Sequence, residues 1–181
     1  MEMKPMSQPS WKNFLHPKLF PGISLPGGEL PRIAIVGIGN EFNGDDAAGV
    51  LVVRRLLARK WSADAGQVLV IDAGQAPENI TAELRRFRPR VVLMIDAAQM
   101  DLAPGQIAWI DWETTTGMSA SSHSLPLSML ARYLEAEFSC SVHLLGIQAL
   151  KNDPYSDVSI AVQIAVDEIS QSLCANLFVN P

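Results

Sequence analysis

Cysteine is scarce in this chain, and long apolar runs are missing. The 181 residues include two cysteines, Cys140 and Cys174, too few for a disulfide framework and without CxxC metal-site spacing. We therefore expect a reduced, cytoplasmic protein. No apolar stretch reaches the roughly 18 residues that a membrane span needs, and residues 1–31 lack the apolar core of a secretory signal. These absences argue against a membrane protein and against an exported one.

Positive charge is also in short supply. The formal net charge is −5, and no basic run or basic helical face stands out. Nucleic acids and anionic membranes are therefore poor candidates as partners. The hydrophobic fraction of 48% fits one ordinary globular domain, and no long apolar surface stripe is evident. We expect a monomer.

Short apolar runs alternate with amphipathic segments from residue 32 onward. The predicted strands are 32–38, 67–74, 90–99, 105–112 and 141–150, and the predicted helices are 46–60, 77–89, 124–138 and 157–175. This alternation predicts an α/β three-layer sandwich with helices on both faces of a twisted, mostly parallel five-stranded sheet. The strand at 105–112 follows its predecessor too closely for a crossover helix, so we expect it to be antiparallel. Residues 32–181 form the predicted α/β domain, and residues 1–31 a predicted extended arm.

Polar residues collect where the predicted strands end. Ligands of such sheets bind at the carboxyl ends of the strands, so these residues are the candidate site. They are Gly39, Asn40, Asp45 and Asp46 after the first strand, Asp72 and Asp96 at the ends of the second and third, and His123 in the loop before the third helix.

Two ligand classes compete for this edge. The glycine turn "GIGNEFNG" resembles half of a dinucleotide fingerprint, with Asp72 where a ribose ligand belongs. The spacing GxGxxxxG is wrong for that fingerprint, and Asp45 and Asp46 would repel a pyrophosphate at the helix start. Carboxylates with a histidine suit a divalent cation such as Zn²⁺ or Ni²⁺ instead. Purely structural roles stay open, with Asp46 as a helix cap and Asp72 as a turn residue.

Five segments in order carry a resemblance to a known family. They are "GIGNEFNGDDAAG", "VIDAGQAPEN", "LMIDAAQMDLAPGQI", "SSHSLPLSML" and "LLGIQ". Together they resemble the hydrogenase maturation endopeptidases, and most closely the branch that processes the hydrogenase 3 (formate hydrogenlyase) large subunit. The resemblance implies a peptidase that removes the C-terminal extension of the [NiFe]-hydrogenase large-subunit precursor after nickel insertion. A nucleotide-binding module and a non-catalytic metallochaperone are the alternatives.

The resemblance also implies which residues act. The metal-contacting and catalytic positions fall on Asp46, Asp96 and His123, with nickel supplied by the precursor rather than held by the enzyme. Gly39, Asn40, Asp45 and Asp72 then position those residues or the substrate. Much of the family has glutamate where Asp46 stands, and the nearest branch has glycine where Ala47 stands. The segment 1–31 matches nothing in the family pattern.

Overall fold

Five strands form one twisted sheet at the centre of the molecule. The computed structural model describes residues 10–20, 31–59, 67–113 and 126–177. The strands are β1 (Ile33–Ile38), β2 (Val68–Gly74), β3 (Val91–Ala98), β4 (Ile107–Ile110) and β5 (Ser141–Gln148). Their order is β2-β1-β3-β5-β4. All pairs are parallel except β4 with β5, which confirms the predicted mixed sheet and its antiparallel edge strand.

Helices cover both faces of the sheet, as predicted for a three-layer sandwich. They are α1 (Lys12–Leu19), α2 (Ala48–Leu57), α3 (Thr81–Phe87), α4 (Leu127–Phe138) and α5 (Ile160–Leu177). Short 3-10 helices at Gly44–Ala47 and Pro77–Ile80 precede α2 and α3. One apolar cluster joins α1, α2 and α5 to the sheet, and a second joins α3 and α4 to the opposite face. Among the described residues, no helix is long and apolar enough to cross a membrane.

Two burial predictions are wrong in detail. The apolar run at 67–74 predicts a buried strand, but β2 lies at the edge of the sheet and most of its residues are half-buried. The helical spacing in 46–60 predicts one face formed by Val50, Val53, Leu56 and Leu57. The first three are buried, but Leu57 is 51% exposed, and Val52 is fully buried instead. Val52 therefore joins Val50, Val53 and Leu56 on the buried face of α2, and Leu57 does not.

The N-terminal arm is not extended throughout. Residues 12–19 form α1, which buries Trp11, Leu15 and Leu19 against the main core. Fixed contacts hold this helix in place. The indole of Trp109 donates to the carbonyl of Trp11 at 2.9 Å, and the indole of Trp11 donates to Glu168 at 3.1 Å. Residues 1–9 and 21–30 lie outside the described residues.

The end of α1 meets a histidine of β5. Lys18 Nζ lies 3.5 Å from His143 Nδ1, and the Lys18 ammonium lies 5.0 Å from the centre of the Trp109 ring. Burial, and secondarily the Lys18 charge, lower the pKa of His143 to about 4. The position of His143 within the predicted strand 141–150 predicts a packed histidine, and the structure confirms this.

Candidate active site

The carboxyl ends of the parallel strands lie at one edge of the sheet, which we call the carboxyl edge. Gly37 of β1 is paired with Asp72 of β2 on one side and with Ile95 of β3 on the other. Asp96 follows Ile95 directly and is paired with Gly146 of β5. The turns after β1, β2 and β3 therefore meet where the sequence places its candidate residues.

The turn after β1 is built by the close approach of two backbone segments. Gly39 has φ +139°, and a Cβ added there would lie 1.8 Å from the carbonyl oxygen of Asp46. The Gly39 amide donates to the Gly74 carbonyl at 3.0 Å. Only glycine fits this position, and its role is to let the chain segment that carries Asp46 pack against the turn.

Glycines also bring α2 against the sheet. A Cβ at Gly37 would lie 2.2 Å from the Gly49 carbonyl oxygen, and a Cβ at Gly49 would lie 2.1 Å from the Ile95 carbonyl oxygen. Gly37, the first glycine of the turn that resembles a phosphate loop, is therefore explained by backbone packing between β1 and α2, and Gly49 by packing of α2 against β1 and β3. Sequence reasoning did not single out Gly49, although a glycine inside a helical pattern often signals such close packing.

Asp46 turns back toward the glycine turn. It is 3% exposed, and its carboxylate accepts the Asn40 amide at 3.1 Å. The predicted helix-cap role is wrong, because Asp46 lies in the 3-10 helix Gly44–Ala47 and the residue that precedes α2 is Ala47. Asn40 thereby holds the Asp46 side chain in place.

Asp96 brings a second buried carboxylate to the same edge. It lies inside β3 and is also 3% exposed. The 3-10 helix Gly44–Ala47 contacts β3, so the segments that carry Asp46 and Asp96 touch. Two buried acidic residues on touching segments give this edge of the sheet an acidic character. This arrangement suits a cationic ligand and disfavours a phosphate.

Asp45 has a different environment from its neighbour. It is fully buried, and its carboxylate accepts the amides of Leu150 at 2.8 Å, Lys151 at 3.2 Å and Ser159 at 2.6 Å, and the Ser159 hydroxyl at 3.0 Å. Its own amide donates to the Lys151 carbonyl at 3.0 Å. Asp45 therefore ties the loop after β5 and the start of α5 to the segment that carries Asp46.

Asp72 is engaged in local contacts on the edge strand. One carboxylate oxygen accepts the Gly74 amide at 3.1 Å, which is the turn contact that was the alternative to a ligand role. The other accepts Arg54 Nε at 2.8 Å, and Arg54 also pairs with Glu41. These two carboxylates raise the pKa of the Arg54 guanidinium. Asp72 thus helps to anchor α2 beside the turn after β1.

The third predicted ligand, His123, lies outside the described residues. Within the ranges that the structure does describe, no group of three His, Cys, Asp or Glu side chains is arranged to hold a metal ion. Of the predicted triad, the described residues include Asp46 and Asp96, both buried on segments that touch.

Sequence reasoning missed Gln148 as an organiser of this edge. Gln148 is 4% exposed, and its side-chain oxygen accepts the amides of Met100 at 2.7 Å and Leu102 at 3.2 Å. Its side-chain nitrogen donates to Gln99 Oε1 at 2.8 Å. These bonds fix the loop that leaves β3 just after Asp96. In the sequence, the only signal was the glutamine that ends "LLGIQ". That segment contributed to the family resemblance, but no physical role was assigned to its glutamine.

The fold is of the α/β class, with two buried aspartates at the carboxyl edge of its sheet, and comparison with known proteins identifies the family. The family described as hydrogenase maturation protease matches residues 50–176, so the chain belongs to the hydrogenase maturation protease family of hydrolases. The hydrogenase 3 maturation protease of Escherichia coli K12 is 35% identical over 137 residues, which cover 75% of this chain and 85% of that protein. The predicted resemblance to the hydrogenase 3 branch is thus confirmed.

Solved structures agree with this assignment. The crystal structure of the [NiFe] hydrogenase maturation protease HycI from Thermococcus kodakarensis superposes with a TM-score of 0.72 at 29% identity, covering 81% of this chain and 92% of that one. The solution structure of the endopeptidase HycI from Escherichia coli gives 0.68 at 32% identity, covering 77% and 86%. The α/β fold is therefore the fold of the family.

Proposed function

We propose that this chain removes the C-terminal extension of a [NiFe]-hydrogenase large-subunit precursor after nickel has been inserted. Membership in the family supports the reaction. The observation that supports a metal-bearing substrate is the pair of buried carboxylates, Asp46 and Asp96, on touching segments at the carboxyl edge. The enzyme works as a monomer in the cytoplasm under this proposal.

Nickel is part of the substrate in this proposal. Asp46, Asp96 and His123 contact the ion that the precursor already holds, since carboxylate and imidazole donors suit a borderline divalent metal. Bound there, the ion polarises the scissile carbonyl or acidifies a water molecule. A precursor without nickel offers the two carboxylates no cation, and this difference makes cleavage follow metal insertion.

The chain's own residues position the reaction. Asn40 holds the Asp46 carboxylate through its amide, and Gln148 fixes the loop after Asp96. The amides of Gly39 and Asn40 already donate to Gly74 and Asp46 within the protein. The turn after β1 therefore acts by orienting Asp46 rather than by offering these amides to the peptide. A carboxylate of the pair accepts the proton of the attacking water.

Mass spectrometry of the precursor tests the proposal. Incubation with this protein should shorten the nickel-loaded precursor by its extension and leave the nickel-free precursor intact. Trimming of a nickel-free precursor would contradict the metal-directed mechanism. A complex that forms while the precursor mass stays unchanged would identify a metallochaperone instead.

Single substitutions test the site. Asp96→Asn and His123→Ala should abolish trimming while the far-UV circular dichroism spectrum stays that of the wild type. Asp167→Asn is the matched control, because Asp167 is an exposed carboxylate in the middle of α5, outside the site, and it should trim normally. Retained trimming by Asp96→Asn or His123→Ala would remove that residue from the site.

A further inference from the structure

Three large apolar side chains stand exposed together near the carboxyl edge. Phe42 is 58% exposed, Leu150 is 58% exposed and Tyr155 is 88% exposed. We call these three residues the apolar rim. Phe42 lies in the turn after β1, and the other two lie in the loop between β5 and α5. Exposed apolar groups that cluster near a functional edge are typical of contact surfaces.

The rim is held in its exposed position by backbone bonds. The Tyr155 amide donates to the Phe42 carbonyl, and the two ring centres are 6.5 Å apart. Tyr155 has φ +58°, a left-handed conformation that a residue other than glycine rarely adopts. The fold therefore places an aromatic ring in solvent on an unfavourable backbone, which points to a use for that ring.

The rim is continuous with the candidate active site. Asn40 accepts the Phe42 amide on its side-chain oxygen at 3.0 Å and donates its own amide to the Asp46 carboxylate. Asp45, the neighbour of Asp46, accepts the Leu150 amide at 2.8 Å. Phe42 is two residues from Asn40, a span of about 7 Å at most. A peptide that reaches Asp46 therefore passes within reach of the rim.

We propose that the apolar rim binds an apolar side chain of the precursor segment next to the bond that is cut. This inference rests on the proposed peptidase function and adds a specificity surface to it. The rim's two aromatic rings and one leucine favour an aliphatic or aromatic partner side chain over a charged one. The precursor is the occupant because cleavage requires its main chain to cross this edge of the sheet.

Substitutions in the rim test the inference by separating KM from kcat. Phe42→Ser removes one ring, and Tyr155→Asn removes the other while keeping a residue that tolerates the left-handed backbone. The double variant should raise KM for the nickel-loaded precursor about tenfold or more and change kcat less than twofold. Leu57→Ser is the matched control, because Leu57 is 51% exposed at the far end of α2, about 15 Å along that helix from its start.

The outcomes separate this inference from the proposed function. If the wild type trims normally but the KM of the double variant stays within twofold of the wild-type value, the inference that the apolar rim binds the precursor is overturned. If the wild type leaves the precursor intact, the peptidase proposal fails. The Kd of the precursor for each variant, measured by titration calorimetry, then decides the rim. A Kd at least tenfold weaker in the double variant supports it, whereas equal Kd values for the two proteins, or no detectable binding by the wild type, overturn it.

A second copy of the chain is the competing occupant. Sedimentation velocity of the wild type and the double variant distinguishes it. A wild-type dimer that the rim substitutions convert to a monomer would assign the rim to self-association and overturn the inference. Unchanged circular dichroism and Tm in the double variant show that any loss arises at the surface.

Discussion

Two adjacent aspartates, Asp45 and Asp46, have separate tasks at the residue scale. Both are buried, but Asp45 accepts bonds from the loop after β5 and from Ser159, whereas Asp46 is bonded to the Asn40 amide at the site. The environment of each carboxylate, rather than its residue type, separates a structural role from a functional one.

Asp45→Asn should therefore destabilise the fold more than it impairs the chemistry. The new amide group would face backbone donors, and the loss of a charged acceptor should lower the free energy of unfolding by about 2 kcal/mol. Urea titration measures this loss, and the trimming assay at low temperature measures activity. Asp46→Asn should show the opposite balance, with activity lost at a smaller cost in stability. Equal losses of activity would mean that the pair is wrongly assigned.

Two glycines with positive φ offer a matched pair of substitutions. Gly39→Ala would place a methyl group 1.8 Å from the Asp46 carbonyl oxygen, so the segment that carries Asp46 must move. Gly74 has φ +54° with no atom within 4 Å of an added Cβ. Gly74→Ala should cost only the conformational penalty of about 1–2 kcal/mol. Gly39→Ala should cost more and also abolish trimming, as thermal denaturation and the trimming assay would show. Similar Tm values for the two variants would contradict the close-packing role of Gly39.

At the scale of elements, α1 is the part of the molecule that sequence patterns missed. A proline-containing, weakly amphipathic segment of eight residues has too little intrinsic helical tendency to stand out. Its stability comes from burial of Trp11, Leu15 and Leu19 against α5 and the sheet. The core strands, by contrast, were predictable because each is a short β-branched run with a clear end.

Leu15→Ala should reveal how strongly α1 contributes to the fold. Leu15 is 1% exposed, and its truncation should lower the free energy of unfolding by about 2–4 kcal/mol. Phe14→Ala is the control on the same helix, because Phe14 is 43% exposed and should change stability by less than about 1 kcal/mol. Urea denaturation followed by tryptophan fluorescence measures both. Equal small effects would show that α1 contributes little to the folded domain.

At the scale of the whole molecule, contact between α1 and β5 should make stability depend on pH. The folded pKa of His143 is about 4, below the ordinary value of 6.5, so the fold favours the neutral ring. This contribution is fully present above pH 6.5 and is lost as pH falls through about 4. We expect a loss of about 2 kcal/mol from this group, less than full conversion of the pKa difference because the ring is only half-buried.

Stability curves of the wild type and His143→Leu test this dependence. The two proteins share their carboxylates, so the difference between their free energies of unfolding isolates the imidazole. The free energy of unfolding of the wild type, minus that of His143→Leu, should decrease as the pH falls from 7 to 4. If the difference in free energy of unfolding stays constant with pH, the fold does not lower the pKa of His143.

The sheet was predictable because strand burial, helix periodicity and short connections are local signals. The antiparallel β4 follows from the short connection alone, and the carboxyl edge follows from parallel strands. The anchoring role of Asp45 and the role of Gln148 were not predictable, whereas the turn contact of Asp72 was one of the alternatives left open. The amides that Asp45 and Gln148 bind lie far away in sequence, as with the separation of 105 positions between Asp45 and Leu150.

The sequence by itself determined the α/β class, the edge of the sheet where the chemistry lies, and the family, through five ordered motifs. Only the tertiary structure decided which buried carboxylate anchors the fold, why glycine stands at positions 37, 39 and 49, and that part of the N-terminal arm is a docked helix. Local sequence patterns indicate which side chains are buried and where the chain turns. Which groups meet depends on close contacts between distant segments, and these exist only once the chain has packed.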